Sequence, residues 1–238
     1  MDAAGRPARP PRVGERELTP PSLPFTPVER RLIRRLRTPT LVQAYLNALP
    51  YNTEPLPDRP MLRTFRSVVA RHTAHCLEAT LTAAVILEQH GYPPTVMSFE
   101  SIDGLDHVVF VYKAQGRWGS VARSRDPGLH GRKPVFRSLR DLALSYFEGY
   151  IDRTGCITAY GAADLRVLGS YDWRLATGNV WKVERLLFEV PHKPIKSSVA
   201  RVDRLRRKYI AYVDAHGKKP LYYDRSTWSA LPAEYRRQ

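Results

Sequence analysis

The stretch Ala74-His75-Cys76-Leu77-Glu78-Ala79 decides how this 238-residue chain is interpreted. It opens a run of small and apolar residues in which Leu77, Leu81 and Val85 recur at helical spacing. Gly91 ends the run, because glycine readily adopts the left-handed conformation that terminates helices. Since the run is apolar on most sides, it predicts a buried central helix that begins at His75 or Cys76.

Three strands are predicted directly after this helix. Residues 95–99, 107–112 and 117–122 are rich in β-branched and aromatic side chains, as strands are. The turn signals Asp103-Gly104 and Gln115-Gly116 separate them. One helix followed by an antiparallel meander is an α+β pattern, so we predict a Cys-bearing helix packed on an antiparallel sheet, with extra helices at both ends.

The rest of the chain is divided by composition. Residues 1–25 are rich in Pro and Arg and predict a disordered arm, and residues 26–195 are expected to form the main domain, with its N-terminal helices. Residues 196–238 predict a basic helical extension packed on this core. Residues 162–168 predict a short helix, while residues 180–188 fit a helix or a strand.

The chain is strongly basic, with 38 Lys and Arg against 23 Asp and Glu and a formal net charge of +15. Such a balance attracts phosphate polyanions and acidic partners. The sequence carries no recognition-helix, zinc-finger or aromatic RNA-binding signature. Nucleic acid and acidic proteins are therefore alternative partners, and the charge is also a weak indication of an anionic substrate.

Other classes of protein are disfavoured. There is no run of about 18 apolar residues, so no membrane span is expected, and residues 1–7 lack the apolar core of a signal peptide. Cys76 and Cys156 are the two cysteines, which excludes a disulfide scaffold and fits a reducing cytoplasm. We expect a cytoplasmic protein in which Cys156 is a small buried hydrophobe.

Cys76 is the candidate nucleophile. A helix N-terminus favours a thiolate through its dipole and its free N–H groups, and the Cys76 N–H would be available to an oxyanion. The alternative is a structural cysteine in an apolar helix. His72, His75, Cys76 and His107 lack the spacing of a zinc site, and we expect neither a metal nor a cofactor.

His107 and Asp126 are the candidate partners of this thiol. His107 opens the second strand and would take the thiol proton, while Asp126, nineteen residues later, would orient the imidazole. The alternatives are a histidine at a strand edge and an ordinary Asp-Pro turn at Asp126-Pro127. Residues 129–238 are expected to cover the site, because they are rich in aromatic side chains.

The order of these motifs resembles the transglutaminase-like superfamily, and it is similar to uncharacterised bacterial members of it. A Cys at a helix head, then His107-Val108-Val109-Phe110, then Gly116-Arg117-Trp118-Gly119 and then Asp126-Pro127 carry the resemblance, over about residues 70–128. It implies a papain-like fold with Cys76 as nucleophile, His107 as general base and acid, and Asp126 as orienting carboxylate. The chain departs from the family before the nucleophile, where His72 and Thr73 are the candidates for a side-chain oxyanion donor.

The resemblance implies a cysteine hydrolase or acyltransferase. Cys76 would attack an amide or peptide carbonyl, in a small substrate or a protein, and form a thioester. Release by water would make the protein an amidase or peptidase, and release by an amine would make it a transglutaminase. The alternative is a non-catalytic papain-like scaffold that binds nucleic acid or an acidic partner through its basic surface.

Overall fold

The computed structural model describes residues 19–53, 62–104 and 106–220. Residues 1–18 of the predicted arm lie outside this part of the chain. The fold is α+β, as predicted. Within the described residues, the helices are α1 (Pro27–Arg35), α2 (Pro39–Ala48), α3 (Phe65–Arg71), α4 (Cys76–Glu88), α5 (Leu139–Leu144), α6 (Phe147–Tyr150), α7 (Trp181–Glu189) and α8 (Val199–His216). The strands are β1 (Thr95–Ser101), β2 (His107–Ala114), β3 (Arg117–Val121), β4 (Arg132–Phe136), β5 (Ile157–Asp164) and β6 (Lys193–Pro194).

The six strands form one sheet in the order β4-β3-β2-β1-β5-β6, and every neighbouring pair is antiparallel. The predicted meander is its centre: Val96 pairs with Phe110, and Phe110 pairs with Val121. β5 pairs with the other edge of β1 and extends the sheet beyond the meander.

The predicted helix over residues 162–168 is wrong. Ala162 and Ala163 belong to β5, where they pair with Met97 and Val96 of β1, and only Leu165–Leu168 form a turn of 3-10 helix. The segment is rich in small side chains that carry no period-two pattern, so its strand is set by the ladder with β1. Residues 180–188, which fitted either element, lie in α7 and the residue before it.

Helix α4 is the buried central helix that the sequence predicts. Twelve of its 13 residues are buried. His75 caps it: the His75 Nδ1 atom accepts the Leu77 N–H at 3.2 Å, and the Glu78 carboxylate accepts the His75 N–H at 3.0 Å. The Thr80 hydroxyl donates to the Val108 carbonyl at 2.9 Å and ties the helix to β2.

Helices cover both faces of the sheet. Alternate residues of β1 point to opposite sides: Val96 packs with α4 and the N-terminal helices, and Met97 packs with Leu142 and Tyr146 of the chain after β4. The α4 face therefore carries the largest apolar cluster, and Cys76 lies at its edge.

The basic helix α8 packs on the second face. Its Leu205 and Tyr209 are buried against Phe147, Ile151 and Cys156. Cys156 is 5 % exposed, which agrees with the prediction of a small buried hydrophobe. In the described part of the chain, no helix has the length and apolarity that crossing a membrane requires.

Candidate functional site

The start of α4 faces a cavity of about 960 Å³. Cys76, His107 and Asp126 all line it, so the fold brings the three predicted site residues to one place. The later part of the chain also contributes to its wall, as expected of a covering segment. Its contributions include Tyr150, Trp181, Phe188, His192 and Lys219.

The Cys76 thiol is surrounded by hydrogen-bond donors. The backbone N–H groups of Leu77 and Val108 and the hydroxyl of Tyr51 lie near its sulfur, and each lowers the pKa of the thiol. Burial nevertheless raises the pKa of Cys76, and these donors offset the effect only in part. The helix N-terminus predicted an anionic thiolate, but burial is the larger effect and raises the pKa of the thiol, which favours its neutral form.

Among the described residues, no strand pairs with Val108 on the side of β2 that faces away from β1, so its N–H is available to the sulfur. The ladder between β2 and β3 begins where Phe110 pairs with Val121, two residues after Val108. The Val108 N–H and carbonyl therefore point past the end of β3, towards α4. They meet Cys76 and the Thr80 hydroxyl there.

Tyr51 is a site residue that the sequence reasoning missed. The Asn52 N–H donates to the Ala74 carbonyl at 3.2 Å, and the Ala74 N–H donates to the Pro50 carbonyl at 3.3 Å. This short parallel bridge pairs Tyr51 with Ala74, two residues before Cys76. Burial raises the pKa of Tyr51 to about 12, so its hydroxyl keeps its proton and can donate.

The two donors expected from the sequence lie elsewhere. His72 ends α3 with a left-handed backbone at φ 56°, and neither His72 nor Thr73 lines the cavity. No local sequence pattern pointed to Tyr51, because the bridge that brings it near Cys76 joins segments more than twenty residues apart.

His107 is buried, with 3 % of its surface exposed, and its ring stacks on Phe99. The Nε2 atom lies 2.9 Å from the Leu129 carbonyl oxygen. A carbonyl only accepts, so Nε2 carries the proton and Nδ1 keeps its lone pair. Burial lowers the pKa of His107 to about 4, and the imidazole is neutral at pH 7. No hydrogen bond joins this ring to Cys76 among the described residues.

Asp126 does not hold the imidazole by a hydrogen bond in the described part of the structure. Its Oδ1 accepts the Gly128 N–H at 2.9 Å, and its Oδ2 pairs with the Lys219 ammonium at 3.0 Å. It acts on His107 through its charge, which raises the pKa of the imidazole slightly against the larger effect of burial. In the described structure, the hydrogen-bond partner of the imidazole is the Leu129 carbonyl.

Arg132 fixes the loop that carries this carbonyl. Its guanidinium is buried and donates to the His130 carbonyl at 2.6 Å and to the Gly128 carbonyl at 2.7 Å. These two carbonyls flank Leu129. The loop is therefore clamped on both sides of the group that orients His107.

The cavity is acidic although the chain is basic. Among the described residues, its lining carries six carboxylates against two basic side chains, Arg125 and Lys219. The carboxylates belong to Glu100, Asp103, Asp106, Asp126, Asp152 and Glu184. A neutral or cationic ligand fits this lining better than an anionic one.

In the residues that the structure describes, no group of three His, Cys, Asp or Glu side chains is placed to hold a metal ion. The chain matches no family model, and a search of curated proteins gave no match.

Proposed function

We propose that the protein is a cysteine-dependent acyl-transfer enzyme with a papain-like, transglutaminase-like core. The strongest support comes from the groups that surround the Cys76 sulfur. Its sulfur lies at the first turn of a buried helix, lines a cavity and has three backbone N–H groups and a phenol near it that favour its anionic form. A cysteine with a purely structural role needs none of these donors.

In the acylation step, the thiol proton passes to Nδ1 of His107 while the sulfur attacks an amide carbonyl. The carbonyl oxygen becomes an oxyanion, which the Cys76 N–H and the Tyr51 hydroxyl stabilise. The Cys76 N–H has no acceptor four residues earlier in the helix and lies beside the Tyr51 oxygen, so the two oxyanion donors are neighbours. The C–N bond then breaks, His107 returns the proton to the leaving amine, and a thioester remains on Cys76.

The resting pair is a neutral thiol and a neutral imidazole, since burial raises the pKa of Cys76 and lowers that of His107. Proton transfer between them accompanies the attack and does not precede it. Among the described residues no hydrogen bond joins the two side chains, and catalytic hydrogen bonds often form only when substrate binds.

The substrate carries an amide or peptide bond and is neutral or cationic near the scissile carbonyl, in keeping with the acidic lining. Water or an amine then releases the acyl group. The basic outer surface suits binding to an acidic partner protein at a distance from the cavity.

Trapping of the acyl-enzyme tests the proposal. The protein is incubated with p-nitrophenyl acetate, and intact and peptide mass spectrometry locate the acetyl group. We expect one acetyl group on Cys76, released by hydroxylamine, and none in Cys76→Ala. Cys156→Ala is the matched control, because it removes the other thiol and should acylate like the wild type.

Two results would contradict the proposal. One is a folded wild type that stays unacylated at Cys76. The other is equal acylation of Cys76 and Cys156, which would indicate ordinary thiols. The non-catalytic scaffold would then be the better interpretation. The next measurement would be the salt dependence of nucleic-acid binding.

A further inference from the structure

A second hydrogen-bonded group lines the cavity of Cys76. The Ser98 Oγ atom lies 2.8 Å from Nε2 of His192. On the other side of the ring, Nδ1 of His192 lies 2.8 Å from the Val190 carbonyl oxygen and 3.3 Å from a Glu100 carboxylate oxygen. Ser98, Glu100 and His192 all face the cavity, and the acylation step uses none of them.

The partners of the ring determine where its proton sits. The Val190 carbonyl can only accept, so Nδ1 carries the hydrogen and Nε2 has the lone pair. The Ser98 hydroxyl must then donate to Nε2, which leaves the lone pairs of its oxygen free. If Nε2 also gains a proton, the Val190 carbonyl and the Glu100 carboxylate both stabilise the imidazolium.

The sheet makes room for this ring. Gly161 is the partner of Ser98 on β5, and a Cβ atom there would lie 3.0 Å from both Nε2 of His192 and Cγ1 of Val190. Any larger residue at position 161 would push the imidazole away from Ser98. The absence of a side chain at Gly161 thus permits the contact between the serine and the histidine.

The serine is also a neighbour of the reactive sulfur. Ser98 pairs across β1 and β2 with Val108, whose N–H points the other way, to Cys76. Such a pair has Cα atoms about 4.5 Å apart, so one further hydrogen-bond length places the sulfur on the order of 8 Å from the Ser98 Cα. Val108 lies between the two, and a thioester carbon and one attacking atom, about 3 Å from its target, would span this distance on the cavity side, because Ser98, Val108 and Cys76 all line the cavity.

We propose that Ser98 and His192 accept the proton of the nucleophile that releases the acyl group from Cys76, an inference that rests on the proposed function. Water or an amine attacks the thioester carbonyl and gives a proton to the Ser98 oxygen. The Ser98 proton moves to Nε2 of His192. The new C–O or C–N bond forms, the C–S bond breaks, and the sulfur leaves as a thiolate, which takes up a proton from water in the cavity while His192 releases its extra proton to water.

Three imidazoles line the cavity: His75 caps α4, and this division of labour gives separate roles to the other two. His107 is deeply buried, and the proposed acylation step assigns it to the attack of the thiol. Ser98 is the group that contacts the incoming nucleophile, and His192 acts through it as a positioning residue and proton acceptor. Glu100, with its carboxylate 3.3 Å from Nδ1, stabilises the charged ring that the step creates.

Pre-steady-state hydrolysis of p-nitrophenyl acetate by the full-length protein tests the inference. The burst of nitrophenol reports acylation, and the slow phase that follows reports deacylation. We expect Ser98→Ala and His192→Gln to keep the burst amplitude and to slow the second phase tenfold or more. Gly161→Ala should act in the same direction, because it displaces the ring without removing a reactive group. His90→Gln is the matched control, since His90 also pairs with a backbone carbonyl but lies after the far end of α4.

The outcomes separate this inference from the proposed function. A normal burst with an unchanged slow phase in Ser98→Ala, His192→Gln and Gly161→Ala overturns the inference alone. Absence of any burst in the wild type overturns both. A burst that survives in Cys76→Ala but disappears in Ser98→Ala would mean that Ser98 is itself acylated, which also overturns the relay.

Discussion

The imidazole of His107 is held by the main-chain carbonyl of Leu129, 2.9 Å from its Nε2 atom. A backbone carbonyl fixes the tautomer as firmly as a carboxylate does, but it brings no full negative charge to stabilise an imidazolium. The ring is therefore oriented for proton transfer through Nδ1 while it stays neutral. This combination determines how the protein should respond to pH and to mutation.

The buried imidazole should make the protein less stable in acid. The unfolded ring takes up a proton near pH 6.5, whereas the folded ring does so at about pH 4. Between these values the unfolded state binds one more proton, so the free energy of unfolding falls as the pH falls, by roughly 3 kcal/mol over the whole interval. Urea denaturation from pH 7 to pH 4 measures this fall.

His107→Gln should flatten this part of the stability profile, because glutamine keeps a donor near Leu129 and does not titrate. His216→Gln, at an exposed position on α8, is the control and should leave the profile unchanged. An equally steep acid loss in His107→Gln would show that another group causes it.

Asp126→Asn should have a small effect on acylation. Where a carboxylate sets the tautomer of a catalytic histidine, its amide variant costs about 10⁴ in rate. Here the Leu129 carbonyl sets the tautomer, and asparagine can still accept the Gly128 N–H, so we expect less than a tenfold loss. Burst rates with p-nitrophenyl acetate measure this, with His107→Gln as the variant that should be nearly inactive. A loss of a thousandfold in Asp126→Asn would restore the carboxylate to the orienting role.

The Cys76 thiol should lose its proton only at a higher pH than an ordinary thiol does. Because burial raises its pKa above the ordinary thiol value of about 8.5, alkylation by iodoacetamide should reach half its maximal rate only above that pH. Tyr51→Phe removes a donor to the sulfur and should move this midpoint higher still. Both measurements are made in a Cys156→Ala background, so that one thiol reports. A midpoint well below pH 8 would contradict the neutral resting thiol.

Tyr51→Phe should also slow turnover. Loss of a single oxyanion donor costs on the order of 10² to 10³ in rate in related chemistry, and the Cys76 N–H remains in the variant. We therefore expect about a tenfold to hundredfold fall in the acylation rate constant. An unchanged acylation rate would assign the Tyr51 hydroxyl to packing.

Glu78 should be important for stability. Its carboxylate is fully buried and accepts from the backbone N–H groups of His75 and Arg63 and from the Asn52 amide. Glu78→Ala leaves these donors unpaired, and we expect a loss of about 3 kcal/mol in the free energy of unfolding, measured by urea denaturation. Glu78→Gln, which keeps an acceptor, should lose less. Equal losses in both variants would show that the charge of Glu78 matters more than its hydrogen bonds.

The sequence alone determined the elements around Cys76. The apolar run after His75 predicted α4, and the alternating apolar residues predicted β1, β2 and β3, because these periodicities depend only on neighbours along the chain. The α+β class followed from their order. The strand β5 was missed, because its small side chains carry no pattern and its place is set by pairing with β1.

Tertiary structure decided the chemistry of the site. That Leu129 and not Asp126 faces His107 depends on a loop clamped by the buried Arg132, and that Tyr51 faces Cys76 depends on a bridge to Ala74. Almost every residue has a backbone carbonyl and an N–H group, so the residue type does not predict which of these groups will face a site. Only the folded chain selects them, because hydrogen-bond partners are fixed by distances in space.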